Sequence, residues 1–244
     1  MTDKCLKNRA IVRLSPKTDD EDIRAFLQGL VTNDVSGKLA VYAALLSAQG
    51  KTMFDFFVWD GGNGSVLIDC ETDSADDLVK RLSLYRLRRQ IEISRDEKLS
   101  VYWGREAEDG AASDPRLSEM GFRWIAPAEG SAPADGAYLA HRLSLGVPEG
   151  RDELGDILWL ETNAVELNGV SFEKGCYVGQ ENTARMNWRQ KVNRRLVVVP
   201  LGTSEEKRQK AAYPELSLAV DHLRVSELDP ATLPDWQRAG LASD

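Results

Sequence analysis

Residues 174–181 have the sequence Lys174-Gly175-Cys176-Tyr177-Val178-Gly179-Gln180-Glu181. The segment places a thiol and a primary amine between two glycines. Glycine tolerates positive φ angles and permits close approach to the backbone, and a neighbouring lysine favours the thiolate form of a cysteine. The pattern predicts a tight turn that presents Cys176, with Lys174 beside it to hold an anion. Because most free cysteines are buried small apolar residues, the pattern alone leaves the role of Cys176 open.

Cysteine and histidine are scarce in the rest of the chain. The other cysteines are Cys5 and Cys70, and no CxxC pair occurs. We therefore expect neither a disulfide framework nor a closed zinc site, and such cysteine usage suits a reducing compartment. The histidines, His141 and His222, lie far apart in sequence, so we expect no metal site and no histidine-centred catalysis.

The overall composition is that of a globular protein. The chain has 244 residues, 42% of them hydrophobic, and a formal net charge of -8. The length permits one large domain or two to three small ones. The negative net charge argues against broad binding of nucleic acid or anionic membranes. No apolar run approaches the roughly 20 residues that span a bilayer, and residues 1–9 lack the apolar segment of a signal peptide. We expect a cytoplasmic protein.

Strand and helix signals alternate irregularly along the chain. Apolar runs bounded by turn residues predict strands at 9–14, 41–48, 53–59, 65–69, 91–93, 99–103, 122–126, 196–199 and 216–220. Helical spacing of apolar residues predicts helices at 19–30, 75–87 and 138–145. Few βαβ alternations occur, which indicates an α+β protein with more than one subdomain.

Several segments beside 174–181 carry a resemblance to a known family. They are Phe26-Leu27-Gln28-Gly29-Leu30-Val31-Thr32-Asn33-Asp34-Val35, Tyr85-Arg86-Leu87-Arg88, Asp114-Pro115-Arg116 followed by Gly121-Phe122-Arg123, and His141-Arg142-Leu143-Ser144-Leu145-Gly146-Val147-Pro148-Glu149-Gly150. In order and spacing, from about residue 10 to residue 200, they resemble the YgfZ-type folate-binding proteins, whose hallmark K-G-C-Y-x-G-Q-E is complete here. That family is similar to the glycine-cleavage T-protein, an aminomethyltransferase.

The resemblance implies a three-part, ring-like arrangement around tetrahydrofolate or a one-carbon derivative of it. Residues 1–37 plus 112–190 would form a discontinuous folate-binding domain, and residues 38–111 a second α+β domain. Residues 191–244 would form a short, truncated C-terminal β-barrel domain, because so few residues leave little for a closed barrel core. Folate would occupy the central hole, in keeping with the preference of cofactors for domain interfaces.

The resemblance also implies roles for individual residues. Glu161 matches the T-protein glutamate that meets the pterin, and a carboxylate suits an aminopyrimidinone edge because it accepts two parallel N–H bonds. Asp55 aligns near the aspartate that acts at the folate nitrogen, whereas Phe54 stands where the T-protein has a second acid, which argues against aminomethyl transfer. The candidate catalytic residues are Cys176, Lys174 and Asp55. The candidate cofactor-binding residues are Glu161, Gln180, Glu181, Tyr177, Asn33 and Arg86.

Three functions follow as alternatives. The first is a folate-binding accessory protein in assembly or repair of iron–sulfur clusters, with indirect effects on tRNA modification and with Cys176 as the working thiol. Its partners would be iron–sulfur proteins or cluster-assembly factors, and the acidic net charge disfavours direct nucleic-acid binding. The second is a folate-dependent aminomethyl or one-carbon transferase. The third is a non-catalytic folate-binding scaffold. Whether the protein turns over a substrate is left open.

Overall fold

A computed structural model describes residues 4–130, 132–189 and 192–242. Within these residues the strands are β1 (Cys5–Leu6), β2 (Arg9–Pro16), β3 (Val41–Leu46), β4 (Thr52–Gly62), β5 (Ser65–Glu71), β6 (Ile91–Arg95), β7 (Leu99–Gly104), β8 (Ala112–Ser113), β9 (Phe122–Pro127), β10 (Arg194–Pro200), β11 (Gln209–Tyr213) and β12 (Leu218–Arg224). The α-helices are α1 (Ile23–Gln28), α2 (Ala75–Arg86), α3 (Asp135–Ser144), α4 (Arg151–Leu154), α5 (Gln180–Arg189) and α6 (Asp235–Ala242). Short 3-10 turns join several of them.

The largest sheet has five antiparallel strands in the order β3-β4-β5-β2-β6. Successive side chains of a strand point to opposite faces, so β4 sends Phe54 and Phe56 to one core and Phe57 to another. By the same alternation Asp55 shares the face of Phe57. Asp69 of β5 pairs directly with Phe57 in the strand register. One face of this sheet therefore carries acidic side chains into the interior.

Helices α1 and α2 cover the other face of the five-stranded sheet and build the core that contains Phe54 and Phe56. Helix α1 is shorter than the predicted helix at 19–30, because Asp22 caps its start: the Asp22 carboxylate accepts the N–H of Ala25 at 3.0 Å. Such a side chain satisfies a free N–H of the first turn. Helix α2 agrees with the prediction at 75–87 and ends at Arg86.

Two smaller antiparallel sheets complete the fold. One has the order β1-β7-β9-β8, and the other has the order β10-β12-β11. Apolar residues of both, including Val101 and Leu196, belong to the same core as Phe57 and the fully buried Trp159. This core thus lies where the three sheets meet.

Most predicted elements are present, and the α+β class is confirmed. Strand β11 was not predicted, because its sequence Gln-Lys-Ala-Ala-Tyr lies in a charged stretch with little alternation. Strand β2 lies between β5 and β6 of the five-stranded sheet, so residues from the proposed first and second domains share one sheet. The domain boundaries stay a prediction. In the described part of the chain, every helix is too short or too polar to cross a bilayer.

Candidate functional site

Cys176 is the one exposed cysteine of the chain. All three cysteines are free thiols, and Cys5 and Cys70 are buried. Burial raises the pKa of the Cys70 thiol to about 12, which makes it an inert side chain at neutral pH. Only Cys176 therefore offers its sulfur to another molecule.

Lys174 anchors one end of the loop that carries Cys176. Its ammonium donates to the carbonyl oxygens of Val31 at 2.5 Å and Asn33 at 2.8 Å. It also lies 5.2 Å from the centre of the Tyr177 ring, a favourable cation–π arrangement. Burial lowers the pKa of Lys174 to about 8. The structure thus gives this amine a positioning role, and its predicted role in holding an anion stays a prediction.

Gly179 fixes the other end of the loop against the β3–β4 hairpin. Its φ is +83°, and an added Cβ would lie 2.5 Å from the carbonyl oxygen of Ser47. Just beyond, the side chain of Asn182 donates to the carbonyl of Gln49 at 2.8 Å. Gly175 is the opposite case, because an added Cβ there would meet no atom within 4 Å. The thiol therefore sits in an open segment held firmly at both ends.

The predicted cofactor residues near this loop have structural partners. The Asn33 amide donates to the carbonyl oxygens of Tyr42 at 2.9 Å and Asn168 at 2.7 Å. Tyr177 is buried beside Lys174. Gln180 and Glu181 form the first turn of α5, where Gln180 is half-buried and Glu181 exposed. The structure thus brings Asn33 and Tyr177 to Lys174.

Glu161 and Arg86 lie apart from that group. A carboxylate oxygen of Glu161 is 3.0 Å from Nε2 of His222 in β12, so Glu161 faces the three-stranded sheet. The guanidinium of Arg86 donates to the carbonyl of Ile91 at 3.0 Å and fixes the turn after α2. The six predicted cofactor residues therefore do not converge on one cavity in this structure, and their folate contacts stay a prediction.

A buried network of charges occupies the acidic face of the five-stranded sheet. Asp69 accepts from Arg9 at 2.6 Å and from Arg123 at 2.7 Å. Glu149 accepts from Arg116 at 2.6 Å and from the Tyr138 hydroxyl at 2.5 Å. Arg116 is also paired with Asp114 at 2.8 Å. Such pairs tolerate burial because each charge meets an opposite one through hydrogen bonds.

In this network the pKa values of two carboxyl groups shift in opposite directions. Burial alone would raise the pKa of Glu149, but Arg116 and Arg9 hold it well below its usual range. Burial raises the pKa of Asp55, and the neighbouring Glu149 raises it further. Asp55 accepts from the Tyr42 hydroxyl at 3.1 Å. Phe54 points into the opposite core, so an acid at that position would not lie beside Asp55.

A cavity of about 360 Å³ opens beside the network. It lies at the junction of the three sheets, since Leu6, Glu71 and Tyr213 come from one sheet each. Its wall consists of Leu6, Asn8, Arg9, Glu71, Asp135, Gly136, Tyr138, Leu139, Arg142, Glu149, Gly150, Asp152 and Tyr213. The volume is within the usual range of small-molecule sites, about 300–1,000 Å³.

Glu71 presents a carboxyl group to this cavity. One of its carboxylate oxygens accepts the N–H of Arg151 at 2.7 Å, while the described residues donate no hydrogen bond to the other. Burial and, to a smaller extent, the charge of Asp55 raise the pKa of Glu71 to about 7. The free carboxylate oxygen can accept a hydrogen bond from an N–H donor of a ligand in the cavity. Among the described residues no group of His, Cys, Asp and Glu could hold a metal ion.

Comparison with known proteins finds similar sequences among iron–sulfur cluster assembly factors. No protein-family model matches it. It is 34% identical over 227 residues to the human mitochondrial iron–sulfur cluster assembly factor IBA57, a match that covers 75% of this chain and 64% of that protein. It is 33% identical over 238 residues to the mouse IBA57, covering 80% and 65%. These relatives confirm the resemblance to the YgfZ family. The match spans just under two thirds of these relatives.

The fold of this chain is that of the glycine-cleavage T-protein. The aminomethyltransferase T from Bartonella henselae matches it with a TM-score of 0.64 at 11% identity, covering 91% of this chain and 78% of that one. The three-part arrangement predicted from the resemblance is confirmed, with the three-stranded sheet β10-β12-β11 as its C-terminal part.

The buried network was not predicted as part of a site. Arg116, Arg123 and Glu149 stand inside segments that carry the YgfZ resemblance, yet they received no role. A signal was present: Arg123 interrupts an otherwise apolar strand, and a fully buried arginine needs a charged partner. Glu71 and Tyr138 gave no comparable signal, because their importance arises only where distant segments meet.

Proposed function

We propose that this chain acts in iron–sulfur cluster assembly or repair and that Cys176 is the thiol that meets the cluster. The exposed position of Cys176 at the tip of a loop anchored by Lys174 and Gly179 carries the proposal. The relatives named as iron–sulfur cluster assembly factors support it.

The role of Cys176 is that of one ligand among several. A cluster is ordinarily held by four thiolates, so a single exposed cysteine meets a cluster whose other ligands come from a partner. The partners are therefore iron–sulfur proteins or cluster-assembly factors. Because Gly175 lacks a side chain and has open space around it, the backbone beside the thiol leaves room for the partner's cluster.

We further propose that tetrahydrofolate, or a one-carbon derivative, binds in the cavity where the sheets meet. The free oxygen of Glu71 would accept from the pterin, and Tyr138 and Gly150 would line the space around it. When bound, the folate supplies nitrogens that carry a one-carbon unit. Arg9 and Arg142 are occupied by Asp69 and Glu153, so they contribute positive potential to the wall rather than free donors.

The decisive experiment replaces Cys176 in a host strain that lacks its own copy of the protein. We expect Cys176→Ser to reduce the activity of a [4Fe–4S] dehydratase about as far as loss of the whole gene does, because serine is a poor cluster ligand. The matched control is Cys70→Ala, which removes a buried thiol. Full dehydratase activity with Cys176→Ser would contradict the proposal.

Folate binding is tested separately on the purified protein. Titration of tetrahydrofolate should give at least about tenfold weaker binding for Glu71→Gln, the loss expected for one charge-assisted hydrogen bond. Glu161→Gln is the comparison variant. If only Glu161→Gln weakens binding, the pterin lies at Glu161, as the resemblance implied. If neither variant does, the cavity is not the folate site.

Two finer expectations belong to the same proposal. Effects on tRNA modification would be indirect, through the clusters of modifying enzymes, because the net charge of -8 disfavours binding to RNA. We propose a cytoplasmic location, although the human and mouse relatives are named as mitochondrial proteins. Fractionation of the native host with an antibody to the protein decides between the compartments.

A further inference from the structure

The turn after α2 displays a leucine in a strained backbone conformation. Leu87 has φ +50° and ψ −113°, and the N–H of Arg89 closes the turn on the carbonyl of Arg86 at 2.9 Å. These angles belong to the first central position of a type II′ turn, which glycine normally occupies. Yet the Leu87 side chain is 85% exposed and Leu84, one helical turn earlier, is 68% exposed. A strained residue whose side chain is mostly exposed points to a role outside the molecule.

The surface around these leucines is basic, although the chain as a whole is acidic. Residues 78–91 contain no acidic side chain, and their cations are Lys80, Arg81, Arg86, Arg88 and Arg89. Arg89 pairs with Glu21 at 2.6 Å, and Arg86 holds the turn through the carbonyl of Ile91. Arg88 is exposed, and in the described part of the chain no carboxylate pairs with it. We call the surface of Leu84, Leu87 and Arg88 the α2 knob.

Helix α2 and the Cys176 loop both contact the β3–β4 hairpin. Arg81 of α2 contacts the sulfur of Met53 at 3.6 Å, while Gly179 of the loop packs against Gly50, its added Cβ lying 3.2 Å from the Gly50 Cα. Gly50 and Met53 are three residues apart, about 10 Å in extended chain. The helix that carries the knob and the loop that carries the thiol are therefore linked through one hairpin.

We propose that the α2 knob docks a partner protein whose surface has an apolar pocket within an acidic rim. The exposed leucines supply the apolar contact and Arg88 the charge complementarity. A nucleic acid would not use the leucines, and an anionic membrane would be repelled by a chain of net charge -8. That the partner exchanges a cluster at Cys176 rests on the proposed function.

The test uses Leu87→Gly, which removes the apolar side chain and relieves the backbone strain, so the protein should keep or raise its melting temperature. Arg88→Glu reverses the charge, and Lys98→Glu is a matched exposed control. The probes are the host's iron–sulfur assembly proteins, purified one by one. At least one acidic member should bind the wild type and lose about tenfold or more of its affinity with Leu87→Gly and with Arg88→Glu. Added salt should weaken the binding.

Activity in the host separates this inference from the proposed function. We expect Leu87→Gly and Arg88→Glu to lower dehydratase activity while Lys98→Glu does not, with the alkylation rate of purified Cys176 unchanged. If Cys176→Ser is harmful but both knob variants are fully active, the docking proposal is wrong and the proposed function stands. If Cys176→Ser is harmless, the proposed function fails. Two other outcomes would also overturn the docking proposal. One is sedimentation of the wild type, but not of the knob variants, with phosphatidylglycerol vesicles. The other is a dimer in sedimentation velocity that the knob variants fail to form.

Discussion

The ammonium of Lys174 lies 2.5 Å from the carbonyl oxygen of Val31, which ties the thiol-bearing loop to the chain segment after α1. The two residues are 143 positions apart in sequence. They belong to two of the segments that carry the family resemblance, the one at 26–35 and the one at 174–181. A lysine beside a cysteine suggests activation of a thiol, but here its donors are directed at backbone carbonyls. The contact therefore joins the two segments in the folded chain.

Replacement of Lys174 should loosen the loop. In Lys174→Met the carbonyls of Val31 and Asn33 lose their donor, and each unsatisfied buried acceptor costs about 1–3 kcal/mol. We expect a lower melting temperature and at least about tenfold faster amide hydrogen exchange at residues 175–179, because local opening tracks lost contacts. Lys38→Met, at an exposed lysine, is the control. Unchanged exchange in this loop would show that the anchor is elsewhere.

The two glycines of the motif should respond differently to alanine. Gly179→Ala forces a side chain into positive φ and places its Cβ 2.5 Å from the carbonyl of Ser47, so we expect a loss of about 1–3 kcal/mol in the free energy of unfolding. Gly175→Ala meets no neighbouring atom and should change that free energy by less than about 0.5 kcal/mol. Chemical denaturation of both variants provides the measurement. Equal losses would contradict the different surroundings of these glycines.

Substitution of Gly175 also tests how a partner approaches Cys176. If the open space around it admits a partner's cluster, Gly175→Ala should reduce dehydratase activity in the host although the protein is as stable as the wild type. A fully active Gly175→Ala protein would mean that the partner approaches Cys176 from another direction.

The buried charge network should be essential to the fold. Asp69 is fully buried and holds both Arg9 and Arg123, so Asp69→Asn leaves buried guanidinium charge uncompensated and should cost about 3–5 kcal/mol. Asp60→Asn is the matched control, since Asp60 pairs with Arg24 at 2.9 Å on the surface and should cost at most about 1 kcal/mol. Equilibrium unfolding in urea measures both. A small loss for Asp69→Asn would show that the network is not needed for stability.

Local sequence patterns were sufficient to predict several strands and helices. Strands β2 to β5 and the helix α2 followed from apolar spacing and turn residues, because β4 alternates Phe54 and Phe56 with Asp55 and Phe57 along two buried faces. Strand β11 was missed because its pairing with β12 depends on tertiary contacts rather than on its own composition. The order of the strands in the sheets was not predicted, because it depends on pairing between segments that are distant in sequence.

The site was predicted less completely than the fold, for a physical reason. Cys176 could be singled out because its local context is distinctive, whereas the surroundings of Glu71 come from segments about 80 residues away, such as Arg151. Lys174 was a catalytic candidate that was expected to hold an anion, and Arg86 was a candidate for cofactor binding. The structure shows both bonded to backbone carbonyls. Sequence indicates which side chains matter more readily than it indicates what they touch.

Glu71 should give the protein a pH dependence of definite sign. Its pKa of about 7 in the folded protein lies above the usual value for a glutamate, because the charged form is disfavoured in the partly buried site. Between the unfolded and folded pKa values the native state keeps a proton that the unfolded state releases. The contribution of Glu71 to stability is therefore present below the unfolded pKa and is lost as the pH rises to about 7.

The variant Glu71→Gln removes this titration and can keep the hydrogen bond from the N–H of Arg151. We expect its melting temperature to match the wild type near about pH 4.5 and to exceed it increasingly toward about pH 7, with a constant difference above that. Asp73→Asn, at an exposed acid two residues away, should show no such trend. A difference between Glu71→Gln and wild type that is the same at every pH would mean that Glu71 titrates normally. The free carboxylate oxygen in the cavity would then be solvated like a surface group.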